Sequence, residues 1–224
     1  MSDRRATPAP PRFELSGGAL CLDFANSWGD RRRPESDRLD DYAALLAFAC
    51  EAGLLDRRQA ARLSLRAPQS PAEAKRAHAV ARALRDALYR LFSAQARGRR
   101  VDPADVAHVN AALHEALPHL RVTRRAGGYA WDWADYGGEP LAAPLRPVAR
   151  SAAALLTSDD LARVRECDGA TCTWLFLDQS RNRSRRWCDM QGCGNRAKVS
   201  RHRAKVRAAQ EPTSPLKTPV PPRG

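Results

Sequence analysis

Four cysteines near the C-terminus stand in two matched pairs, Cys167-x4-Cys172 and Cys188-x4-Cys193, with fifteen residues between the pairs. Four thiolates so arranged can converge on one tetrahedral zinc ion, with Zn–S distances of about 2.3 Å. Such a site is coordinatively closed and leaves no position for a reacting water, so the one zinc ion it implies is structural rather than catalytic. The surroundings are strongly basic. Residues 163–207 hold twelve Lys and Arg against four Asp and Glu, which is +8 of the chain's formal +13. Zinc and its four thiolates together lower that by two charges, to near +6. A zinc-stapled module of this charge reads as a nucleic-acid-binding element.

The elements that must hold these cysteines can be read locally. CDGATC (167–172) is a short loop in which Gly169 is expected to let the chain turn. Thr173 to Asp178 alternates as a strand, with Arg185, Arg186 and Trp187 expected on its return strand and QSRNRS (179–184) at the polar tip. A helix is expected from about Asn195 through NRAKVSRHRAKVRAA. Knuckle, hairpin, second knuckle and helix in that order describe a treble-clef module, whose last ligand sits at the helix start. On the helix Arg196, Arg203 and Arg207 share one side with Val199 and Ser200, while Lys198, Arg201, His202 and Lys205 lie around it. The tip adds Arg181, Asn182, Arg183, Arg185 and Arg186. Arg181, Asn182, Arg183, Arg185, Arg186, Asn195, Arg196, Lys198, Arg201, Arg203 and Lys205 are the candidate nucleic-acid contacts, with the helix in a major groove and the tip on the adjacent backbone. Asn195 and Arg196 have an equally good structural reading, capping the helix and bracing the knuckle. Trp174, Phe176 and Trp187 read as the miniature core around the metal rather than as base-stacking platforms.

The 224-residue chain has room for one medium domain besides this module. Residues 1–162 carry 24 basic and 20 acidic side chains, an ordinary balance. No apolar run approaches the roughly 18–20 residues needed to span a bilayer, and MSDRRATPAPPRF has no signal-like apolar region. The expectation is a cytoplasmic protein with no membrane partner, in which clustered cysteines stay reduced and bind metal. Cys21 and Cys50 sit in apolar sequence and are expected to be buried, inert thiols. The expected organisation is a disordered lead (1–12), a mainly helical domain (13–160), the finger (161–209) and a disordered proline-rich tail (210–224).

Within the helical region, LDDYAALLAFACEA (39–52) has helical spacing with Asp40 and Asp41 in its first turn. A short helix follows at 56–65, then a long one from Pro71 to about Ala96, then one capped by Asp102 and running to Leu117. The period then changes to two. His119–Thr123 and Tyr129–Ala134 flank a Gly-Gly turn, and Tyr129, Trp131 and Trp133 share a strand face that is expected to pack on a core. Residues 141–157 return to helix, with Pro144 and Pro147 implying a kink or a late start. The fold class is therefore α+β: a predominantly helical domain with one β-hairpin, then the small treble-clef-like finger.

The run C-x4-C-x-W-x-F-x-D-x-S-R-N-R-S-R-R-W-C-x-M-x-x-C-G-N-R-x-K resembles the CGNR zinc finger, whose name stands here as Cys193, Gly194, Asn195 and Arg196. Such a finger typically follows a helical ABATE domain, and the N-terminal run Leu20 to Ser27 (LCLDFANS) is similar to that domain's signature. The resemblance is specific over 167–205 and looser over 15–160. It implies a stress-induced transcriptional regulator whose finger binds double-stranded DNA.

Other functions follow less well. A finger directed at RNA is the nearest alternative, since charge serves RNA equally, and a zinc-stapled protein-interaction module is another. An enzyme is not expected: HExxH, GxSxG, Walker A and GxGxxG are all absent, and His78, His108, His114, His119 and His202 form no evident ligand set. Asp23 and Asn26 lie in apolar sequence and need hydrogen-bond partners there. They read as ties to neighbouring backbone; a sensor reading would instead place a small-molecule effector pocket at Asp23, Asn26, Trp28, Trp131 and Trp133. The long helix 71–97 is the candidate homodimer surface.

Overall fold

The computed structural model describes residues 12–134 and 140–210, with side chains to residue 207. The expected disordered lead and tail lie outside them, save Arg12 and Gln210. Seven α-helices and two antiparallel hairpins are present among the described residues: α1 (Leu20–Ala25), α2 (Tyr42–Glu51), α3 (Arg57–Arg66), α4 (Pro71–Ala96), α5 (Pro103–Ala116), β1 (Leu120–Arg125), β2 (Gly128–Trp133), α6 (Leu145–Leu156), β3 (Val164–Glu166), β4 (Leu175–Leu177) and α7 (Asn195–Gln210).

Local chemistry accounts for most boundaries. Asp41 lies one residue outside α2 and caps it, accepting from the Ala44 amide at 2.7 Å. Asp56 and Gln59 form a reciprocal capping box on α3, and Asp102 caps α5 ahead of Pro103. The late start expected from the prolines occurs: α6 begins at Leu145, so Pro147 falls in the first turn, where amides have no intrahelical acceptor.

The main core gathers residues from all of α1 to α6 and from β3 and β4, with Leu63 the contribution of α3. Although α1 is only six residues long, Cys21, Leu22 and Phe24 are fully buried at its centre. Phe24 and Phe13 meet the Phe48 ring edge-on, with centroids 5.1 and 5.4 Å apart. Burial pushes the Cys21 thiol up to about 12, in keeping with an inert side chain. Cys50 departs from expectation and is exposed. It occupies the outer side of α2, while its neighbour Ala49 faces the core.

The β1–β2 hairpin forms as expected, with Val122 opposite Trp131 and Arg124 opposite Tyr129. Its aromatic face does not enter the core: Tyr129 is 79% and Trp131 56% exposed, and Trp133 is half-buried. A period of two places side chains on a common face, but it does not say whether another element lies on that face. Here the Arg150 guanidinium lies 5.0 Å from the Trp131 ring centre.

The finger's hairpin also differs from expectation. Strand β4 pairs with β3, matching Val164 with Leu177 and Glu166 with Leu175, rather than with residues 185–187. The first knuckle is therefore the turn of the β3–β4 hairpin. The 179–187 segment instead closes as a loop on Asp178, whose carboxylate accepts from the Ser180 hydroxyl and the amides of Ser180 and Arg185. Arg186 reaches the knuckle through its carbonyl, which accepts from the Asp168 amide at 2.9 Å.

Candidate metal centre and basic face

Strand β4 is the wall between two cores. Leu175 and Leu177 point into the helical core, while Phe176, with Trp174 just ahead of the strand, faces a second cluster with Cys167, Cys188 and Cys193. All three strand residues are buried, so both faces are covered. One edge of β4 pairs with β3. Its other edge is closed by the N-terminal segment: the Asn26 amide donates to the Leu175 carbonyl and accepts from the Leu175 amide, both at 2.8 Å, and the Gly17 carbonyl accepts from the Leu177 amide. The Asn26 side chain thus replaces a neighbouring strand's backbone.

The four cysteine sulfurs lie within 4.8 Å of one another. Cys188 Sγ is 3.7 Å from both Cys172 Sγ and Cys193 Sγ. A tetrahedron with Zn–S bonds of about 2.3 Å has edges of about 3.8 Å, so the quartet fits one structural zinc ion. Gly169 serves this closeness rather than a turn. A Cβ there would stand 3.0 Å from Cys172 Cβ and 3.3 Å from Cys193 Sγ. The thiols share charge unequally. Hydrogen bonds from the Cys172 and Cys188 thiols, aided by the Cys188 and Gly169 amides, hold Cys167 down at about 2. Cys172 and Cys188, donating to Cys167 and lying beside its charge, are pushed up, Cys172 to about 12. A divalent cation resolves that conflict by accepting all four as thiolates.

Asp189 caps the turn Met190–Gly194 by accepting from the Gly192 amide, and the turn places Cys193 two residues before the start of α7. Arg196 follows one helical turn later and donates to Cys193 Sγ at 3.0 Å. That contact raises the guanidinium's pKa and bears out the bracing reading of this residue.

The remaining candidate cations divide into two groups. Arg185 is a brace, donating to the carbonyls of Trp187 and Cys188 with its guanidinium 4.6 Å from the Phe176 ring centre. It is half-buried, and its guanidinium is engaged within the finger. Arg186 pairs with Asp168 at 2.7 Å and stays largely exposed. Arg181, Asn182 and Arg183 form the exposed tip, with Arg183 at φ 48° in the left-handed region. Along α7, Asn195, Arg196, Lys198, Arg201, Arg203, Lys205 and Arg207 are all exposed, and Asn195–Gln210 contains no acidic residue. Asn195, Arg196, Val199, Ser200, Arg203 and Arg207 line one shallow groove along the helix, the side anticipated from its periodicity.

The five residues of the candidate effector pocket are not brought together by the contacts they make. Asp23 accepts from the Gly17 amide at 2.7 Å, Asn26 serves Leu175, and Trp28 donates to the Arg33 carbonyl. Desolvation raises the Asp23 carboxyl to about 6. Trp131 and Trp133 belong to the hairpin face.

A polar network that sequence reasoning missed joins the two cores. Arg85, completely buried, forms a bidentate pair with Asp37 and also meets Asp86, which Arg31 engages at 3.0 Å. The Trp28 ring lies 5.0 and 4.9 Å from the guanidiniums of Arg31 and Arg85. On β3, Glu166 accepts from Tyr89, Ser93 and both donors of Arg97. Arg32 donates to the Ala170 carbonyl within the first knuckle. Only the RRR run at 31–33 is visible beforehand, and nothing in it distinguishes docking arginines from solvated ones.

Family models match almost the whole described chain. Residues 18–159 match the ABATE model, described as "Putative stress-induced transcription regulator", and residues 163–206 match the CGNR zinc finger. A search of curated proteins found no match. The helical domain, the signature around Asn26 and the four-cysteine centre agree with those two assignments in order and extent, and the chain belongs to the ABATE family, carrying a CGNR zinc finger at its C-terminal end.

Proposed function

We propose that the protein is a DNA-binding transcriptional regulator of stress responses that grips duplex DNA with α7 and the 181–183 tip. The observation that supports this best is α7 itself, a 16-residue helix free of acidic residues, with every basic side chain exposed. Its length of about 24 Å and diameter of about 10–12 Å suit a major groove, and the metal fixes its direction through Cys193. Val199, 49% exposed, adds an apolar contact for a thymine methyl. Arg186 and Arg201 flank the first knuckle and serve adjacent phosphates. On this reading the protein is non-catalytic, acts in the reducing cytoplasm, and binds as a dimer because one finger offers limited contact area.

The helical domain supplies the sensing role in this proposal, at a place other than the Asp23 and Trp131 set. An apolar cavity of about 680 Å³ lies between α4, α5 and the start of α6, lined by Val80, Leu84, Ala112, Ala143 and Leu145. That size suits a small effector.

The test is fluorescence anisotropy with duplex DNA across a salt series. Replacing Arg181, Arg183, Arg201 and Arg203 with alanine should weaken binding and reduce the log–log salt slope by roughly three to four, about 0.9 per lost phosphate contact. Unchanged affinity and slope would overturn the assignment of α7 and the tip. Tighter binding to structured RNA than to duplex DNA at one salt concentration would redirect the finger to RNA.

A further inference from the structure

The aromatic face of the β1–β2 hairpin is the part of the surface to which neither the zinc centre nor the helical core gives a role. Val122, Arg124, Tyr129 and Trp131 share it, since the register sets Val122 against Trp131 and Arg124 against Tyr129. Val122 is 57%, Trp131 56% and Tyr129 79% exposed. Exposing three large apolar side chains together on a two-stranded hairpin is unfavourable in water and marks a place of contact.

The charges on the hairpin indicate the kind of contact. On the opposite face, Arg121 and Arg125 both pair with Asp132, at 3.0 and 3.4 Å. On the aromatic face Arg124 has no ion pair among the described residues, and Arg150 lies beside the Trp131 ring. Flat aromatic surfaces flanked by unneutralised guanidiniums complement a ligand with flat rings and regularly spaced negative charge.

The spacing is equally specific. Residues two apart on a strand stand about 6.8 Å from each other. That is twice the 3.4 Å stacking repeat of nucleic-acid bases, so the backbone spacing of Tyr129 and Trp131 matches the separation of two rings with one base between them. In a duplex both faces of a base are already stacked, and only an unpaired base can enter. We propose that this face binds unpaired bases of single-stranded DNA, with Tyr129 and Trp131 stacking on the base and Arg124 and Arg150 meeting the flanking phosphates. The site is separate from the finger and does not depend on its duplex contacts.

The experiment uses the full-length zinc-loaded protein and fluorescein-labelled dT12, followed by anisotropy and by intrinsic tryptophan fluorescence. It is repeated in a background with Arg181, Arg183, Arg201 and Arg203 replaced by alanine, the finger contacts assigned above. Trp131→Leu and Tyr129→Leu keep apolar bulk but lack a π face. Tyr129 contributes so little packing that its replacement keeps the test valid even if Trp131→Leu unfolds. The expected result in both backgrounds is tryptophan quenching by dT12 that is lost in Trp131→Leu, and affinity reduced roughly five- to one-hundred-fold in either leucine variant. Quenching and affinity at unaltered levels in both folded variants would overturn the proposal. So would sedimentation showing a dimer that Trp131→Leu or Tyr129→Leu converts to monomer, which would assign the face to a second copy of the chain.

Discussion

Replacing Asn26 with alanine should loosen the metal centre from a position outside the zinc finger. The side chain is 4% exposed, and its two hydrogen bonds satisfy both backbone groups of Leu175, itself fully buried. Alanine leaves that amide and that carbonyl unpaired in an apolar setting, at about 1–3 kcal/mol each. The combined cost is roughly 2–6 kcal/mol, and at 2–4 °C per kcal/mol for a chain of this size the melting temperature should fall by roughly 4–24 °C. Because Leu175 sits between Trp174 and Phe176, the same loss frees the strand that backs the zinc core. Zinc release to a chromophoric chelator should therefore quicken by roughly ten-fold or more, as a loss of 1.4 kcal/mol or more at the site requires. The assay pairs circular dichroism melting with the rate of metal release, and Asn26→Asp serves as a partial variant that retains the acceptor. A melting temperature within 2 °C of the parent would refute the hydrogen-bond argument. A lowered melting temperature with unchanged zinc release would refute the shared-wall argument.

Chelation of zinc should lower the melting temperature of the helical domain itself, read at 222 nm, because the Phe176 side of β4 loses its packing; a helical transition indifferent to chelator would contradict this. Asp23 gives a pH dependence of definite sign. Its folded value of about 6 lies above the unfolded value of about 3.9, so the folded state binds the extra proton and stability falls as pH rises from about 4 to about 6. Asp23→Asn should remove that slope and stabilise the protein above pH 6 by an amount on the order of 1 kcal/mol, while a parallel pH–stability profile in the variant would exclude Asp23 as its source. Arg196→Ala should speed thiol modification and zinc release several-fold by removing a donor to Cys193 Sγ, whereas a role confined to DNA would leave both rates unchanged. Gly169→Ala should impair zinc retention by forcing a Cβ against Cys172 Cβ and Cys193 Sγ, and normal retention would show that the knuckle can shift to accommodate it.

The metal site was legible because its constraint is local and chemical: four thiols at fixed spacing, with α7 starting beside the last of them. Helices α3, α4 and α5 were legible for a related reason, since Asp56, Pro71, Asp102 and Pro103 act within one turn of themselves. What was not legible depended on which surface lies opposite which. Arg185 and Arg181 look alike in sequence, yet one donates to two carbonyls behind the second knuckle and the other is exposed at the tip. The hairpin aromatics share a face in either case, and only the tertiary arrangement leaves that face uncovered. Strand β4 was assigned the wrong partner because its Leu-Phe-Leu run pairs equally well on paper with what precedes or follows it. The deciding residues, Asn26 and Gly17, lie about 150 positions away.

That distant pairing determines how the finger can communicate with the rest of the chain. Zinc fixes Cys193 and hence the direction of α7; the zinc core rests on Phe176; Phe176 shares its strand with Leu175 and Leu177, which are part of the helical core. Glu166, held by Tyr89 and Ser93 of α4 and by Arg97 just past its end, fixes the strand beside it. The connection between α6 and β3 is the short turn Asp159–Arg163, tied back by the Arg163 carbonyl to the Asp178 amide. No slack segment separates the two cores, so a displacement of α4 by even a fraction of an ångström must be accommodated either in the Glu166 contacts or in the orientation of α7. Of the four hydrogen bonds that Glu166 accepts, the two from Arg97 and the one from Ser93 are short and charge-assisted, so the helix orientation is the softer of the two. Replacing Glu166 with glutamine should reverse that order, leaving α7 less firmly tied to α4. With a fluorophore at the far end of α7, the label's rotational freedom should rise; unaltered anisotropy of the label would place the coupling elsewhere.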